Sequence, residues 1–423
     1  MRALYNIGLF LALLTYLPRL LRRRMRSGPF GLAERLGRYP ESLTIRLREK
    51  RPLWLHAVSV GEAVVGGILV SRLHARRSGL PFVVSTVTAT GREVAGERIP
   101  QAEAHIYFPL DFPGPVARAL TAVNPRLVLL MEGEIWPNFL EACHLRGLPV
   151  LLVNGRVSRR SFRRCQVVKP LYRRVLRHIA LFCMQGEGDA ARILALGADP
   201  ERVVVTGNIK YDDDETDDQF PARLAPVARL TDGRLVWVAG STHRGEEGLI
   251  LQAFREIKTG VPDSVLVLAP RHPERISEVE ILLRDADLPF VRRSGLTGGA
   301  AELPSVVLVD TMGELSHLYA LATVAFVGGS LVPAGGHNIL EPARYRRPIV
   351  FGPHMDNFAD VAEAFLGEGM PHQVRDASEL AARVLGLFRD PAAAQRMGEA
   401  AYRVLTRNRG AAERTVTLIE RYL

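Results

Sequence analysis

Carboxylates and one lysine follow apolar runs in the first half of the chain, where the strands of a parallel sheet would end. Glu62 comes after the run LWLHAVSV, and Lys210 follows VVVTGNI as one of only four lysines in 423 residues. A carboxylate in the first turn of a helix can interact with the helix dipole or act as a general base. A lysine at a strand end can meet a phosphate or a carboxylate, or be an ordinary surface residue. The sequence alone leaves these interpretations open.

Two further acids, Glu132 and Glu134, come directly after the run RLVLLM. Ionised carboxylates cannot both lie in apolar surroundings without partners, because moving a charge out of water is costly. We therefore expect one of them to orient a ligand or to pair with a basic residue.

The second half of the chain contains segments that suit a phosphate group. Arg271 lies in the sequence PRHPER, and the glycines of GGSLVPAGGHNILE precede Glu341. Glycines let backbone N–H groups approach a phosphate, arginine binds it through several donors, and Glu341 can accept ribose hydroxyls. The fingerprints of dinucleotide oxidoreductases and P-loop NTPases do not occur. His337 has no second histidine or cysteine at ligand spacing, so we expect no metal site.

The composition predicts a folded protein with an anionic partner. Apolar residues make up 47% of the chain and charged residues 24%, which is enough for large cores. Three cysteines without paired spacing exclude a disulfide framework. The net charge of +10 points to a nucleic acid, a membrane surface or a phosphorylated substrate. Residues 156–177 are rich in arginine and contain no acid, which favours attraction to anionic lipid.

The N-terminus predicts a membrane anchor. Residues 3–17 are apolar apart from Asn6 and Thr15, and a cluster of arginines follows at 19–26. A helix of ~15–18 residues is roughly 22–27 Å long, slightly short of a ~30 Å hydrocarbon core. A short span and a helix lying in the interface both fit, with the basic cluster at the cytoplasmic face. A cleaved signal peptide fits poorly, because the positive charge follows the apolar run.

Short β-branched runs alternate with helix-length segments in the rest of the chain, which indicates βαβ units and parallel sheets. We predict an anchor with its basic flank at 1–27, a first α/β domain at 28–210, an acidic linker at 211–233 and a second α/β domain at 234–423. The predicted strands are 52–60, 81–86, 126–131, 149–153, 181–184 and 203–206, then 235–239, 264–269, 305–309, 324–327 and 348–351.

Six motifs, in this order, resemble the 3-deoxy-D-manno-octulosonic acid (Kdo) transferases of lipopolysaccharide synthesis. They are HAVSVGE at 56–62, MEGEIWP at 131–137, GNIK at 207–210, PRHPER at 270–275, DTMGEL at 310–315 and GGSLVPAGGHNILE at 328–341. The resemblance implies an α/β GT-B fold with an N-terminal anchor helix and two Rossmann-like domains facing across a cleft. Residues 28–210 would then bind the acceptor, and residues 234–423 would bind the CMP-sugar and end in C-terminal helices. It also implies inverting transfer of Kdo from CMP-Kdo to lipid IVA at the cytoplasmic face of the inner membrane, without a metal or other cofactor.

The same resemblance implies roles for individual residues. Glu62 stands where the family has its catalytic base, and Glu132 and Lys210 stand at positions assigned to transition-state stabilisation. The residues that fall on CMP-binding segments are Pro270, Arg271, Met312, Gly313, Glu314, Asn338, Ile339, Leu340 and Glu341. Ile339 stands where proline is common, and Gly133 replaces a frequent threonine; neither departure removes an acid or a base.

Two rival interpretations remain at this stage. Another GT-B nucleotide-sugar enzyme, either a different glycosyltransferase or a UDP-sugar epimerase, would share the fold and the charge. A basic, membrane-tethered nucleic-acid-binding protein would need aromatic residues among the arginines, and residues 156–177 contain only Phe162 and Tyr172. We therefore expect no nucleic-acid partner.

Overall fold

The structure is a computed structural model that describes residues 5–11, 31–213, 220–296, 304–369 and 373–423. The chain forms two compact units. The first comprises Met1–Asp213 and Asn408–Leu423, and the second comprises Asp214–Arg407. Each unit is built on its own parallel sheet.

The first unit contains a seven-stranded sheet in the order β3-β2-β1-β4-β5-β6-β7. Its strands are β1 Leu53–His56, β2 Phe82–Thr86, β3 Ala104–Tyr107, β4 Leu127–Met131, β5 Val150–Gly155, β6 Leu181–Met184 and β7 Val203–Val205. Its helices are α1 Leu32–Arg35, α2 Glu41–Lys50, α3 Val60–Arg76, α4 Ala89–Arg98, α5 Pro113–Val123, α6 Pro137–His144, α7 Arg159–Val167, α8 Lys169–Leu176 and α9 Glu187–Leu196.

Strand β1 is the point at which the strand order of this sheet reverses. Leu53 pairs with Phe82 of β2 on one side and with Leu127 of β4 on the other. Apolar clusters cover both faces, and all five residues of β4 are buried. This explains why the strands are continuous apolar runs rather than alternating ones. Open α/β sheets bind ligands beyond the carboxyl ends of the strands at such a reversal, here between β1 and β4.

The second unit contains a six-stranded sheet in the order β10-β11-β9-β8-β12-β13, which reverses between β8 and β12. Its strands are β8 Val236–Thr242, β9 Val265–Pro270, β10 Phe290–Arg292, β11 Val306–Leu308, β12 Val324–Val327 and β13 Ile349–Phe351. Its helices are α10 Ala225–Thr231, α11 Glu246–Gly260, α12 Ile276–Asp285, α13 Leu315–Leu318, α14 Leu340–Arg344, α15 Ala359–Leu366, α16 Ala377–Arg389 and α17 Pro391–Arg407.

The chain returns to the first unit at its end, in helix α18 (Ala411–Ile419). Asp212 is buried, and its carboxylate accepts hydrogen bonds from the N–H groups of Gly410 at 2.5 Å and Ala412 at 2.6 Å. These bonds satisfy N–H groups that a helix start leaves unpaired. The sequence boundaries differ here, because they assigned residues 408–423 to the second domain and Asp212 to a solvated linker. Residues 214–219 lie outside the described ranges, and residues 225–231 form α10 of the second unit.

Each of the predicted strands is present, and the structure adds β3 and β10, which the sequence analysis missed. Both stand at the edge of their sheet. The predicted strand at 52–60 is shorter than expected, because β1 ends at His56 and α3 begins at Val60.

Most of the predicted anchor at 1–27 lies outside the described residues. Residues 5–11 are helical, and the Tyr5 hydroxyl donates a hydrogen bond to Asp111 Oδ2 at 2.8 Å. Among the helices that are described, none combines the length and the apolar character needed to cross a bilayer.

Candidate active site

Glu62 lies in the first turn of α3, immediately beyond the carboxyl end of β1. Ser59 caps the helix by accepting the Glu62 N–H at 3.4 Å, and its hydroxyl donates to Glu62 Oε1 at 3.0 Å. The Val58 N–H donates to Glu62 Oε2 at 2.9 Å. This reciprocal capping satisfies donors at the helix start and holds the carboxylate in one orientation. The interpretation of Glu62 as a helix-start carboxylate is therefore correct, and it leaves a catalytic role open.

The environment of Glu62 moves its titration towards neutral pH. The side chain is buried, and this burial is the main reason that the pKa of Glu62 rises to about 7. The Val58 N–H lowers the pKa, whereas the negative charges of Glu132 and Glu134 raise it. Burial likewise raises the pKa of Glu134 to about 7. A carboxylate that gains and loses its proton near pH 7 suits a general base.

Glu132 follows β4, the strand that adjoins β1 at the reversal of the sheet. Its backbone has φ +52°, in the left-handed region that non-glycine residues rarely adopt. Its N–H donates to Val153 O at 3.0 Å, and its carbonyl accepts from the Arg156 N–H at 3.2 Å, so neighbouring β5 holds the strained turn. Such strain costs about 1–3 kcal/mol and persists where the surroundings enforce it, often at functional sites.

Lys210 pairs with Glu132, with Nζ 3.5 Å from Oε1. This confirms the expectation that one of the two acids after β4 pairs with a basic residue. The pair lies close enough to Glu62 for the Glu132 charge to act on the Glu62 carboxyl. The carboxyl ends of β1, β4 and the segment after β7 therefore bring Glu62, Glu132 and Lys210 into one electrostatic cluster.

An amide network sets the backbone around Lys210. Asn154, buried at the end of β5, accepts the Ile209 N–H at its Oδ1, 2.9 Å away. Asn208 accepts the Lys210 N–H at 3.0 Å and donates to Gln185 Oε1 at 3.1 Å. Gln185 in turn donates to the Asn154 carbonyl at 2.9 Å. Sequence analysis missed this network, although its signal is present: Asn154 at the end of β5 and Gln185 just beyond β6.

His56, the first residue of the HAVSVGE motif, has a packing role. It is fully buried, stacks on Phe108 at a centroid distance of 3.8 Å, and places Nδ1 3.0 Å from Ser85 Oγ. Burial lowers the pKa of His56 to about 3, so the imidazole is neutral.

In the second unit, Glu246 joins the segments that follow β8 and β12. The side chain is fully buried and accepts hydrogen bonds from four backbone N–H groups, those of His243, Gly329, Ser330 and Leu331, at 2.7–3.1 Å. A Cβ on Gly328 would lie 2.7 Å from Glu246 Oε2 and 2.6 Å from Ser241 O, so only glycine allows this approach. Sequence analysis did not single out Glu246 as a site-forming residue.

We expect Glu246→Ala to destabilise the second unit by about 3 kcal/mol or more, because each buried N–H left unpaired costs about 1–3 kcal/mol. Glu246→Gln should also destabilise it, since the amide nitrogen must face two N–H donors. Hydrogen exchange resolved by peptide measures the effect, with peptides of the first unit as the internal control. Unchanged protection of β8 and β12 would contradict this role.

The predicted nucleotide-binding residues all lie at the carboxyl ends of strands of the second sheet. Pro270 and Arg271 lie at the end of β9, residues 312–314 follow β11, and residues 338–341 follow β12. Ile339 and Leu340 are fully buried. Glu341 lies in the first turn of α14, and Asn338 Oδ1 accepts the N–H of Leu340, the first residue of that helix, at 3.1 Å.

Glu314 is engaged within its own unit. Its carboxylate accepts from Arg293 Nη2 at 3.1 Å and lies 3.2 Å from Arg223 Nε. Exposed Met312 and the backbone of Gly313 are therefore the parts of this segment most open to a nucleotide.

A histidine pair was missed by the sequence analysis. His243 Nε2 and His337 Nε2 lie 2.8 Å apart, although 94 positions separate the two residues. His337 had no partner at ligand spacing in the sequence, and the fold supplies one. In the part of the chain that the structure describes, no group of three or more metal-ligating side chains is found.

Solved structures of other proteins share this fold. A glycosyltransferase from Rickettsia africae matches 88% of this chain and 98% of its own with a TM-score of 0.59 at 15% identity. A UDP-GlcNAc 2-epimerase from Neisseria meningitidis, bound to UDP-GlcNAc, matches 88% of this chain and 100% of its own with a TM-score of 0.58 at 14% identity. Identities this low concern the fold alone, and they confirm the two Rossmann-like domains of the GT-B class.

Proteins of similar sequence identify the family to which the chain belongs. The family model of the 3-deoxy-D-manno-octulosonic-acid transferases (kdotransferases) matches residues 31–213. The 3-deoxy-D-manno-octulosonic acid transferase of Haemophilus influenzae is 35% identical over 398 residues, which cover 93% of this chain and 91% of that protein. The chain, with its two Rossmann-like units and its cluster around Glu62, belongs to the Kdo transferase family of glycosyltransferases.

Proposed function

We propose that this protein transfers Kdo from CMP-Kdo to lipid IVA with inversion at the anomeric carbon, using Glu62 as the general base. The observation that carries the proposal is the cluster at the reversal of the first sheet. It combines a buried carboxyl whose pKa is about 7 with a Lys210–Glu132 pair, in a chain 35% identical to a Kdo transferase. Similarity to a UDP-sugar epimerase extends only to the fold.

In the proposed reaction, Glu62 takes the proton from the acceptor hydroxyl as its oxygen attacks the anomeric carbon of Kdo. The bond between that carbon and the phosphate oxygen breaks, and its electron pair leaves with CMP. Removal of the proton by a positioned base is worth about 10²–10⁴-fold in rate. Ser59 and the Val58 N–H hold the carboxylate in one orientation for this step.

Cationic side chains supply the charge that the reaction needs. The Kdo carboxylate and the departing phosphate are anions, and fixed donors that stabilise developing charge lower the barrier. In the first unit, we assign the stabilisation of this charge to Lys210, which Glu132 pairs with. Pro270, Arg271, residues 312–314 and residues 338–341 hold CMP at the edge of the second sheet. The proposed mechanism uses no metal.

The test is a transfer assay with the purified full-length protein, CMP-Kdo and lipid IVA in detergent, with a chelator present. We expect CMP release matched by a lipid product, and mass spectrometry of that product counts the Kdo residues added. A folded protein that releases CMP but forms no lipid product would overturn the acceptor assignment. Loss of transfer on adding the chelator would overturn the metal-free mechanism.

The pH dependence of transfer should follow Glu62. A base must be deprotonated, and the Glu62 pKa is about 7, so the rate should rise with pH through about 7 as one proton is lost. The measurement is kcat/KM against pH, over about three pH units centred on pH ~7. Glu134→Gln is the matched control, because the Glu134 pKa is also about 7. If Glu134→Gln abolishes the rise of kcat/KM with pH while Glu62→Gln retains it, Glu134 is the base instead.

We also propose that the protein works at the cytoplasmic face of the inner membrane. Helices α7 and α8 support this, because their arginines are exposed and Val167, the last residue of α7, is 84% exposed. Within the described residues, Arg159, Arg160, Arg163 and Arg164 have no carboxylate in ion-pair range. A basic surface of this kind is attracted to anionic lipid by about 1 kcal/mol per charge near the membrane.

Replacing Arg159, Arg160, Arg163 and Arg164 by Gln should weaken binding to vesicles that contain phosphatidylglycerol by about 100-fold or more. Co-sedimentation at increasing salt measures the effect, since screening reduces the attraction. The control replaces four exposed arginines of the second unit, Arg255, Arg389, Arg396 and Arg403, and lowers the net charge equally. Equal weakening in both variants would mean that net charge, and not this surface, drives the binding.

A further inference from the structure

The His243–His337 pair sits at the reversal of the second sheet. His243 follows β8 directly, and His337 precedes α14. The two rings are nearly parallel, at 16°, with centroids 5.1 Å apart and Nε2 atoms 2.8 Å apart. Gly329, with φ +65°, makes room for them: a Cβ there would lie 3.0 Å from the His337 ring and 3.2 Å from the His243 ring. The fold therefore builds this contact from two segments, the one that follows β8 and the one that follows β12.

The short distance between the two nitrogens fixes how many protons the pair can hold. A neutral imidazole has one N–H and one lone pair, so one Nε2 must donate and the other must accept. The donating ring then has a lone pair on Nδ1, and a proton can be added there without breaking the bond between the rings. A second added proton would place N–H groups on both Nε2 atoms and break the bond. The intact pair can thus take up one proton.

Among the charged groups that face the two histidines, no carboxylate is available to pair with a protonated imidazole. Arg271 and His272 lie towards both rings, and Arg275 and Glu247 lie towards His243. Glu247 is already paired with Arg275 at 2.8 Å, and Glu246 accepts four backbone N–H groups. Burial, together with these neighbouring cations and histidines, lowers the pKa of His337 to about 4. The pair is therefore neutral at pH 7, in surroundings whose unmatched charges are positive.

We propose that His243 and His337 form a proton-accepting phosphate subsite, which takes up one proton from solvent when the phosphate of a cytidine nucleotide binds beside it. This inference rests on the proposed function, which places the donor nucleotide at this edge of the second sheet. The bound phosphate supplies the negative charge that the site lacks and makes the protonated pair favourable.

The proton linkage has a physical consequence for the reaction. When CMP departs from Kdo, its phosphate gains a negative charge, and a hydrogen bond to a charged donor is about twice as strong as a neutral one. A protonated pair would stabilise that charge at the moment it forms. The proton enters when the donor binds and returns to solvent when CMP leaves, so none is consumed over the cycle.

The experiment is calorimetry of CMP binding to the full-length protein at a pH of about 7.5, where the nucleotide phosphate is a dianion because its second pKa is about 6. Titrations in buffers that differ in ionisation enthalpy give the number of protons taken up. We expect close to one proton for CMP and none for cytidine, which lacks the phosphate. Uptake should decline below pH ~6, because the phosphate of the free nucleotide then already carries a proton.

His243→Gln and His337→Gln should each abolish the uptake and weaken CMP binding about 10-fold, the effect of losing one charged hydrogen bond. Cytidine affinity should be unchanged, which shows that the rest of the site is intact. The control is His74→Gln, which removes an exposed histidine of α3 and should leave both the uptake and the affinity as in the wild type.

Three outcomes would overturn the inference. CMP binding without proton uptake in the wild type would reject it while leaving the proposed function in place. Uptake retained in both Gln variants would assign the proton to another group, the phosphate included. The absence of CMP binding to the folded protein would reject the proposed donor together with the subsite.

Discussion

Glu62→Gln is expected to reduce Kdo transfer by about 10²–10⁴-fold, the usual contribution of a general base. The amide keeps the size of the side chain and an oxygen that can accept the Val58 N–H, but it cannot take a proton. The initial rate of lipid product formation measures the loss. CMP affinity should be unchanged, because the proposed CMP site belongs to the second unit.

The matched control for Glu62→Gln is Ser59→Ala. It removes the hydroxyl that donates to Glu62 Oε1 and caps α3, while the carboxylate itself remains. Loss of a helix cap costs about 1 kcal/mol of stability and leaves the base in place, so we expect less than a ~10-fold change in rate. Wild-type activity in Glu62→Gln would retain the function and discard Glu62 as the base.

Lys210→Met should reduce transfer by about 10²–10³-fold, the range found when one preorganised donor to a transition state is removed. It also leaves Glu132 without the ion pair seen at 3.5 Å. The unpaired carboxylate then acts more strongly on Glu62 and raises its pKa further, because like charges disfavour ionisation. The rising limb of the pH profile should therefore move to higher pH, which a purely structural role of Lys210 would not produce.

A double variant separates two roles of Lys210. Lys210→Met with Glu132→Gln removes both charges, so the pH limb should return towards that of the wild type. If Lys210 acts on the substrate, the rate stays low in the double variant. Recovery of the rate along with the pH limb would show that Lys210 only balances the charge of Glu132.

The interior strands and the first-turn position of Glu62 could be predicted from the sequence. Strands β4, β5 and β9 are buried on both faces, so each is a continuous apolar run that is easy to recognise. The edge strands β3 and β10 were missed because part of each is exposed, and a three- or four-residue run of mixed polarity resembles a loop. A strand can be recognised from its own residues where burial on both faces requires all of them to be apolar.

The sequence by itself determined the two α/β units, the family and the candidate residues after each strand. Only the tertiary structure decided which of them meet: Lys210 with Glu132, His243 with His337, and Asp212 with the start of α18. The two histidines are 94 positions apart and Asp212 is 200 positions from Ala412, so these contacts depend on strand order and on where the chain returns to the first unit. The residues next to a side chain in the sequence determine whether it lies in a helix or a strand. Its charge partner and its pKa depend on residues that are distant in the sequence and close in the tertiary structure.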